Sequence, residues 1–160
     1  MVGRTKKITL AREQLEDGVQ LLLERRYVSA LTLLGAAEEI LSRLAEEQGG
    51  KHFLDGIWEE VNAWNRRFGG DDVPKTRIYR SFNEPRNSVK HHTPGVVPSV
   101  AIFKEPAALM MARRAQHAAD YLGLKYRNKK MLEERLAAWH AECNRTENTA
   151  ADDPIQPSLI

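Results

Sequence analysis

The side chains best suited to chemistry stand together in one stretch, Arg86-Asn87-Ser88-Val89-Lys90-His91-His92. Arg86 presents a planar fork of donors that matches phosphate oxygens, and Lys90 adds a point charge. An unperturbed imidazole titrates near neutrality, so His91 can take or give a proton. Asn87 lies four residues before His91, where it can orient the imidazole or hold a substrate oxygen. Successive residues turn by about 100° around a helix axis, which sets Lys90 about 40°, Asn87 about 100° and His91 about 140° from Arg86. The four are expected on one polar face, with Val89 and His92 on the other side and His92 turned toward the bundle. A phosphate clamp, a proton shuttle and an orienting amide are what phosphodiester cleavage without a metal requires. A solvated basic helix face near a helix end would carry the same residues and no chemistry.

The stretch also resembles a known family. Arg86, four intervening residues and His91, with polar Asn87 after the arginine, are similar to the R-x4-6-H motif of HEPN domains in its R-N-x-x-K-H form. Ala36-Ala37-Glu38-Glu39-Ile40-Leu41 upstream, and a final helix pair downstream, extend the resemblance over most of residues 10–140, toward a group of small bacterial proteins. The resemblance implies an all-α bundle that pairs as a homodimer, bringing two motif helices into one cleft. It implies a metal-independent endoribonuclease with no cofactor, in which Arg86 and His91 are the catalytic pair and Asn87 the supporting polar residue. An RNA 2′-hydroxyl would attack the adjacent phosphate. His91 would move the proton, Arg86 with Lys90 would stabilise the phosphorane, and a cyclic phosphate would remain. Other members of the family are inactive, so the competing reading is a non-catalytic module that binds nucleotide, RNA or a protein. Either fits a toxin–antitoxin or defence system with a separately encoded inhibitor or antitoxin. Pro85, directly before the arginine, departs from the family pattern.

The elements that must position these residues read as helices. Leu15, Val19 and Leu22 mark a helix over 10–25. Ala30, Leu34, Ala37, Leu41 and Leu44, widened by Leu33 and Ile40, mark the strongest one over 27–47, stopped by Gly49-Gly50. Phe53, Ile57 and Val61 give the apolar face of a third over 52–66. Proline is best tolerated in a first helical turn, so the motif helix is expected to start near Asn83–Pro85, with Asn83 as its cap, and to reach His92. Residues 93–103 read as a crossing loop with apolar side chains packed down. A long helix over 105–122 carries the small-residue stripe Ala108, Ala112, Ala115, Ala119, which lets another helix approach closely. A last helix over 128–141 offers Leu132, Leu136 and Trp139. With no strand pair, the fold class is an all-α bundle of five or six up-down helices. Residues 1–9 read as a flexible N-terminus, 10–141 as the helical domain and 142–160 as an acidic mobile tail.

Several residues are weighed as support. Glu38 falls on the flank of the core, where a carboxylate wants a cation, and Arg86 is the candidate partner; Glu39 points outward. Arg113, Arg114, His117, Lys129 and Lys130 could track a phosphate backbone, or form solvated faces. Trp58, Trp64 and Trp139 read as core or interface anchors. Adjacent histidines diverge around a helix, so no metal site is expected. The chain has 160 residues, 42% hydrophobic and 29% charged, which excludes collagen-like and mostly disordered classes. One cysteine, Cys143, excludes an intrachain disulfide framework. No apolar run reaches the roughly 18 residues of a membrane span, so no membrane partner is expected and the cytoplasm is the expected compartment. Residues 11–61 carry 5 basic and 11 acidic side chains and residues 66–92 carry 7 basic and 3 acidic, a dipolar layout that could steer an anionic partner.

Overall fold

Helix-forming stripes and glycine stops divide the chain much as the sequence suggests. The computed structural model describes residues 4–91 and 99–151, with side chains as far as residue 145. The described residues form six helices and no strand. These are α1 (Lys7–Leu23), α2 (Tyr27–Glu47), α3 (Phe53–Arg67), α4 (Lys75–Lys90), α5 (Lys104–Tyr121) and α6 (Lys129–Ala151). No described helix is long and apolar enough to cross a membrane. The expectations for His92, for residues 93–98 and for the last part of the tail, 152–160, lie outside the described residues.

The chain divides into two compact units, Met1–Asn128 and Lys129–Ile160. In the first, α2 is the centre and packs against α1, α4 and α5. Leu15, Val19 and Leu22 of α1 and Ala30, Leu34, Ala37 and Leu41 of α2 are all buried, as their spacing predicts. Burial on α2 widens the other way from expectation, toward Leu31, Glu38, Ser42 and Ala45 and away from Leu33 and Ile40. The reason is α5, whose small stripe Ala108, Ala112, Ala115 and Ala119 is fully buried and brings that helix close. Gly49, at φ 84°, ends α2: its N–H reaches Glu46 O and that of Gly50 reaches Ala45 O, so two of the orphan carbonyls of the last turn are satisfied.

The second unit holds α6. That helix runs ten residues beyond the expected end at 141, so the first part of the expected tail is helical. Lys129–Glu133 and Lys130–Glu134 pairs support its first turns at helical spacing.

Two expectations about the motif helix are corrected. α4 starts at Lys75, well before Pro85, and Pro85 sits in its interior. A helical proline removes one backbone donor and typically costs ~3 kcal/mol. Here α5 helps to hold the turn: Arg114 Nη1 donates to Phe82 O at 3.2 Å and Arg114 Nη2 donates to Asn83 Oδ1 at 3.0 Å. Asn83 is thus a mid-helix acceptor, and no side chain caps the start at Pro74. On α3 the buried positions are Leu54 and Asn62, while Phe53, Ile57 and Val61 are only half-buried. The connection to α4 is stapled back onto α3 by polar bonds. Val73 N donates to Asn62 Oδ1 at 2.7 Å, and Val73 O accepts from Asn62 Nδ2 and Trp58 Nε1. Trp64, expected to anchor a core or interface, is 63% exposed, and Phe103, expected to pack down, is 85% exposed.

Candidate functional site

Between α2, α3, α4 and the middle of α5 lies a polar cavity of about 600 Å³, within the size range of ligand pockets. Its wall holds four carboxylates (Glu38, Glu39, Glu46, Asp55) and four cations (Arg43, Lys75, Arg86, Arg114), with His52, Tyr79, Asn83, Ser42 and Thr76. The charges largely satisfy one another. Lys75 Nζ meets Asp55 Oδ1 at 2.7 Å, Arg86 Nη1 meets Glu39 Oε2 at 3.3 Å, and Arg43 Nη1 meets Glu46 Oε2 at 3.3 Å.

The deepest of these pairs is Glu38 with Arg114. Both side chains are almost fully buried, and Arg114 donates to Glu38 Oε1 from Nη2 at 2.9 Å and from Nε at 3.2 Å. Ser42 Oγ donates to the same oxygen at 3.4 Å. Glu38 therefore has the cation that its place on the flank of the core demands, but the cation is Arg114 and not Arg86. Arg114 in turn is no surface contact for nucleic acid: it is spent inside the fold, in line with the rule that buried charges are paired and hydrogen-bonded.

Arg86 takes a different seat. Its Nη1 donates to Gly35 O at 3.1 Å and to Glu39, and its side chain is 16% exposed. Glu39 does point outward, as its phase predicts, yet it reaches Arg86. Gly35 makes the seat possible, because a Cβ there would stand 2.4 Å from Arg86 Cδ. Arg86 Nε is buried without a hydrogen-bond partner among the described residues.

His91 does not join Arg86 in the cavity wall. It is exposed and caps the C-terminus of α4 with extended backbone, φ −122° and ψ 131°. Asn87 and Lys90 are exposed as well. The arc expected to form one face is split by the bundle: Arg86 turns inward to α2, and Asn87, Lys90 and His91 face out. Arg86 lies within about 80° of Ile78, Phe82 and Val89, which are buried or half-buried, and turns inward with them, while Asn87 and His91 lie farther round the helix. Among the weaker candidates, Arg113 is exposed and bonds Gln116 Oε1. His117 is exposed, with Nε2 3.3 Å from Lys51 O. Lys129 and Lys130 belong to the ion pairs of α6.

A second group escaped sequence reasoning. His52 caps α3, its Nδ1 accepting from Leu54 N at 3.1 Å, which leaves the ring proton on Nε2, 3.5 Å from Glu38 Oε1. Burial holds the His52 pKa below its ordinary 6.5, against the pull of the Glu38 charge. Tyr79 packs against the His52 ring at 5.1 Å and donates to Asp55 Oδ1 at 2.6 Å. Burial and that bond push the Tyr79 hydroxyl above its usual range. Burial alone would raise the Asp55 carboxyl, but the bonds from Lys75 and Tyr79 outweigh it and hold Asp55 low. One signal was available: His52 follows a glycine stop and opens the next helix, a capping position. Tyr79 and Asp55 are distant in sequence and gave none.

The His52 shift has a consequence for stability. A histidine that is harder to protonate folded than unfolded makes the unfolded state bind more protons below pH 6.5. The unfolding free energy is therefore expected to fall as pH drops through 6.5. His52→Asn, which keeps a capping side chain, is expected to flatten that slope in urea titrations at stepped pH. An unchanged slope would remove His52 as its source.

Among the described residues no group of three or more His, Cys, Asp or Glu side chains is placed to hold a metal ion. No family model, curated protein or solved structure matches this chain.

Proposed function

We propose that the chain is a metal-independent endoribonuclease of HEPN type, acting at the C-terminal half of α4. The observation that carries this reading is the placement of the motif side chains on that one helix. Arg86 is a half-buried guanidinium held in a fixed orientation by Gly35 O and Glu39. His91, with Asn87 and Lys90, is exposed at the end of the same helix. In the proposed reaction an RNA 2′-hydroxyl oxygen attacks the adjacent phosphorus and the bond to the 5′-oxygen breaks. His91 takes the hydroxyl proton or protonates the leaving oxygen, and Arg86 with Lys90 stabilises the charge on the phosphorane. The products are a 2′,3′-cyclic phosphate and a 5′-hydroxyl end. Because Arg86 faces inward and His91 outward, the reading takes a second copy of the chain to complete the cleft beside α4.

The test is cleavage of total RNA in EDTA by the wild type, His91→Ala and Arg86→Ala. Loss of a proton-transfer group is expected to slow cleavage by about 10²–10⁴-fold, and wild-type products should carry cyclic phosphates. Equal rates in all three proteins would overturn the reading. Two observations favour the competing reading, a non-catalytic binding module: Arg86 is already engaged by two protein acceptors, and His91 lies outside the cavity wall. Under that reading none of the three proteins cuts RNA.

A further inference from the structure

We infer that the solvent face of α4 is a phosphate-binding ridge for single-stranded RNA, built by Arg77, Arg80 and Asn87 in line with His91. Taking Arg77 as zero, Arg80 falls at about 300°, Asn87 at about 280° and His91 at about 320° around the helix, an arc of about 80°. All four are exposed. At the helical rise the line from Arg77 to His91 is about 21 Å long, room for several successive phosphates. The cations on the inward side of α4 are spent: Lys75 is paired with Asp55 and Arg86 with Glu39. The Arg77 and Arg80 guanidiniums make no ion pair or hydrogen bond with another described residue. Two unpaired planar forks on one line are suited to phosphate oxygens.

The acidic residue on this line is Glu84, exposed at about 340°, and against Arg77 and Arg80 the balance stays basic. No large apolar side chain is exposed on α4 among the described residues. Along the stretch from Arg77 to Asn87, away from the His91 end where the proposed second copy would meet it, α4 thus offers unpaired guanidiniums and no apolar centre, which favours a polyanion. Guanidinium contacts to phosphates position a strand without reading its sequence.

The inference rests on the proposal that RNA is the ligand, and its test separates the two. The probe is a fluorescent 12-nucleotide 2′-O-methyl RNA, which has phosphates but no free 2′-hydroxyl and so cannot be cut by the proposed reaction. Its affinity is measured by anisotropy across a salt series for wild type, Arg77→Ala/Arg80→Ala and, as a control for charge alone, Lys6→Ala/Lys7→Ala. Each phosphate contact to a single strand contributes about 0.7 to the slope of log K against log salt, so losing two should reduce it by about 1.4 and weaken low-salt binding on the order of tenfold. The control should leave the slope unchanged. Equal slopes for wild type and the arginine variant, an equal loss in the control, or no binding by the wild type would each overturn the ridge. If the wild type cuts RNA through His91 while the arginine variant keeps its slope, the ridge fails and the nuclease stands. If nothing is cut but the slope falls as expected, the ridge stands and the nuclease fails.

Discussion

Arg114→Ala is expected to lower the unfolding free energy by about 3–5 kcal/mol, the usual cost of breaking a buried ion pair from one side. Arg114 and Glu38 are 2% and 3% exposed, so neither charge can turn to water when the other is lost. Glu38 would keep only the 3.4 Å bond from Ser42 and the 3.5 Å approach of His52. The same substitution strips Phe82 O and Asn83 Oδ1 of their donor, in the turn before Pro85. The two losses can be told apart. Glu38→Leu/Arg114→Met removes both charges and fills the volume, which by itself is often neutral or stabilising. Any deficit left in the double variant then measures the clamp on α4. Urea denaturation of the single and double variants is the check. A single-variant loss below about 1 kcal/mol would mean that the pair is not buried in solution.

This pair also marks the limit of what the sequence reveals. The flank position of Glu38 calls for a cation, and the helix phase locates it. Which cation answers depends on how α5 lies across α2, and nothing local encodes that. The placement of Arg114 among Met111, Ala112, Ala115, Gln116 and Ala118, all buried, is a clue to its own burial. It shows only when the burial arc of α5 is seen to exceed the alanine stripe. The helices themselves were more legible, because α1, α2 and α5 carry apolar spacing and the glycines at 49–50 and 123 stop α2 and α5. The start of α4 has no local signal: an internal proline argues against a helix through residue 85 unless donors from elsewhere hold the turn, and those come from Arg114 on α5. Asn62 and Trp58 stapling Val73 is likewise a tertiary arrangement with no periodic signature. In the motif, Arg86 shares its side of α4 with buried Ile78 and half-buried Phe82 and Val89, so it turns inward, whereas Asn87 and His91, about 100° and 140° round from it, face out.

The seat of Arg86 supplies the sharpest test of what that inward arginine does. If the chain is the proposed nuclease, Gly35→Ala is expected to slow RNA cleavage on the order of 10²–10³-fold, the typical loss when one aimed charge-stabilising donor is removed. The substitution leaves Arg86 in the sequence and takes away its place. The new Cβ would stand 2.4 Å from Cδ and 3.0 Å from Cγ, so the side chain must leave Gly35 O. A way out exists, since Arg86 is 16% exposed and borders the cavity. Stability should change little in sum: alanine gains about 1 kcal/mol over glycine inside a helix, which offsets the bond lost to Gly35 O, worth about 0.5–1.5 kcal/mol. The variant therefore separates aim from fold. Cleavage near the Arg86→Ala level, with a wild-type urea midpoint, would tie catalysis to the guanidinium in this one orientation. Wild-type cleavage by Gly35→Ala beside an inactive Arg86→Ala would show that the arginine acts from another rotamer, turned outward toward the face that carries His91, and that the contact with α2 is a resting position.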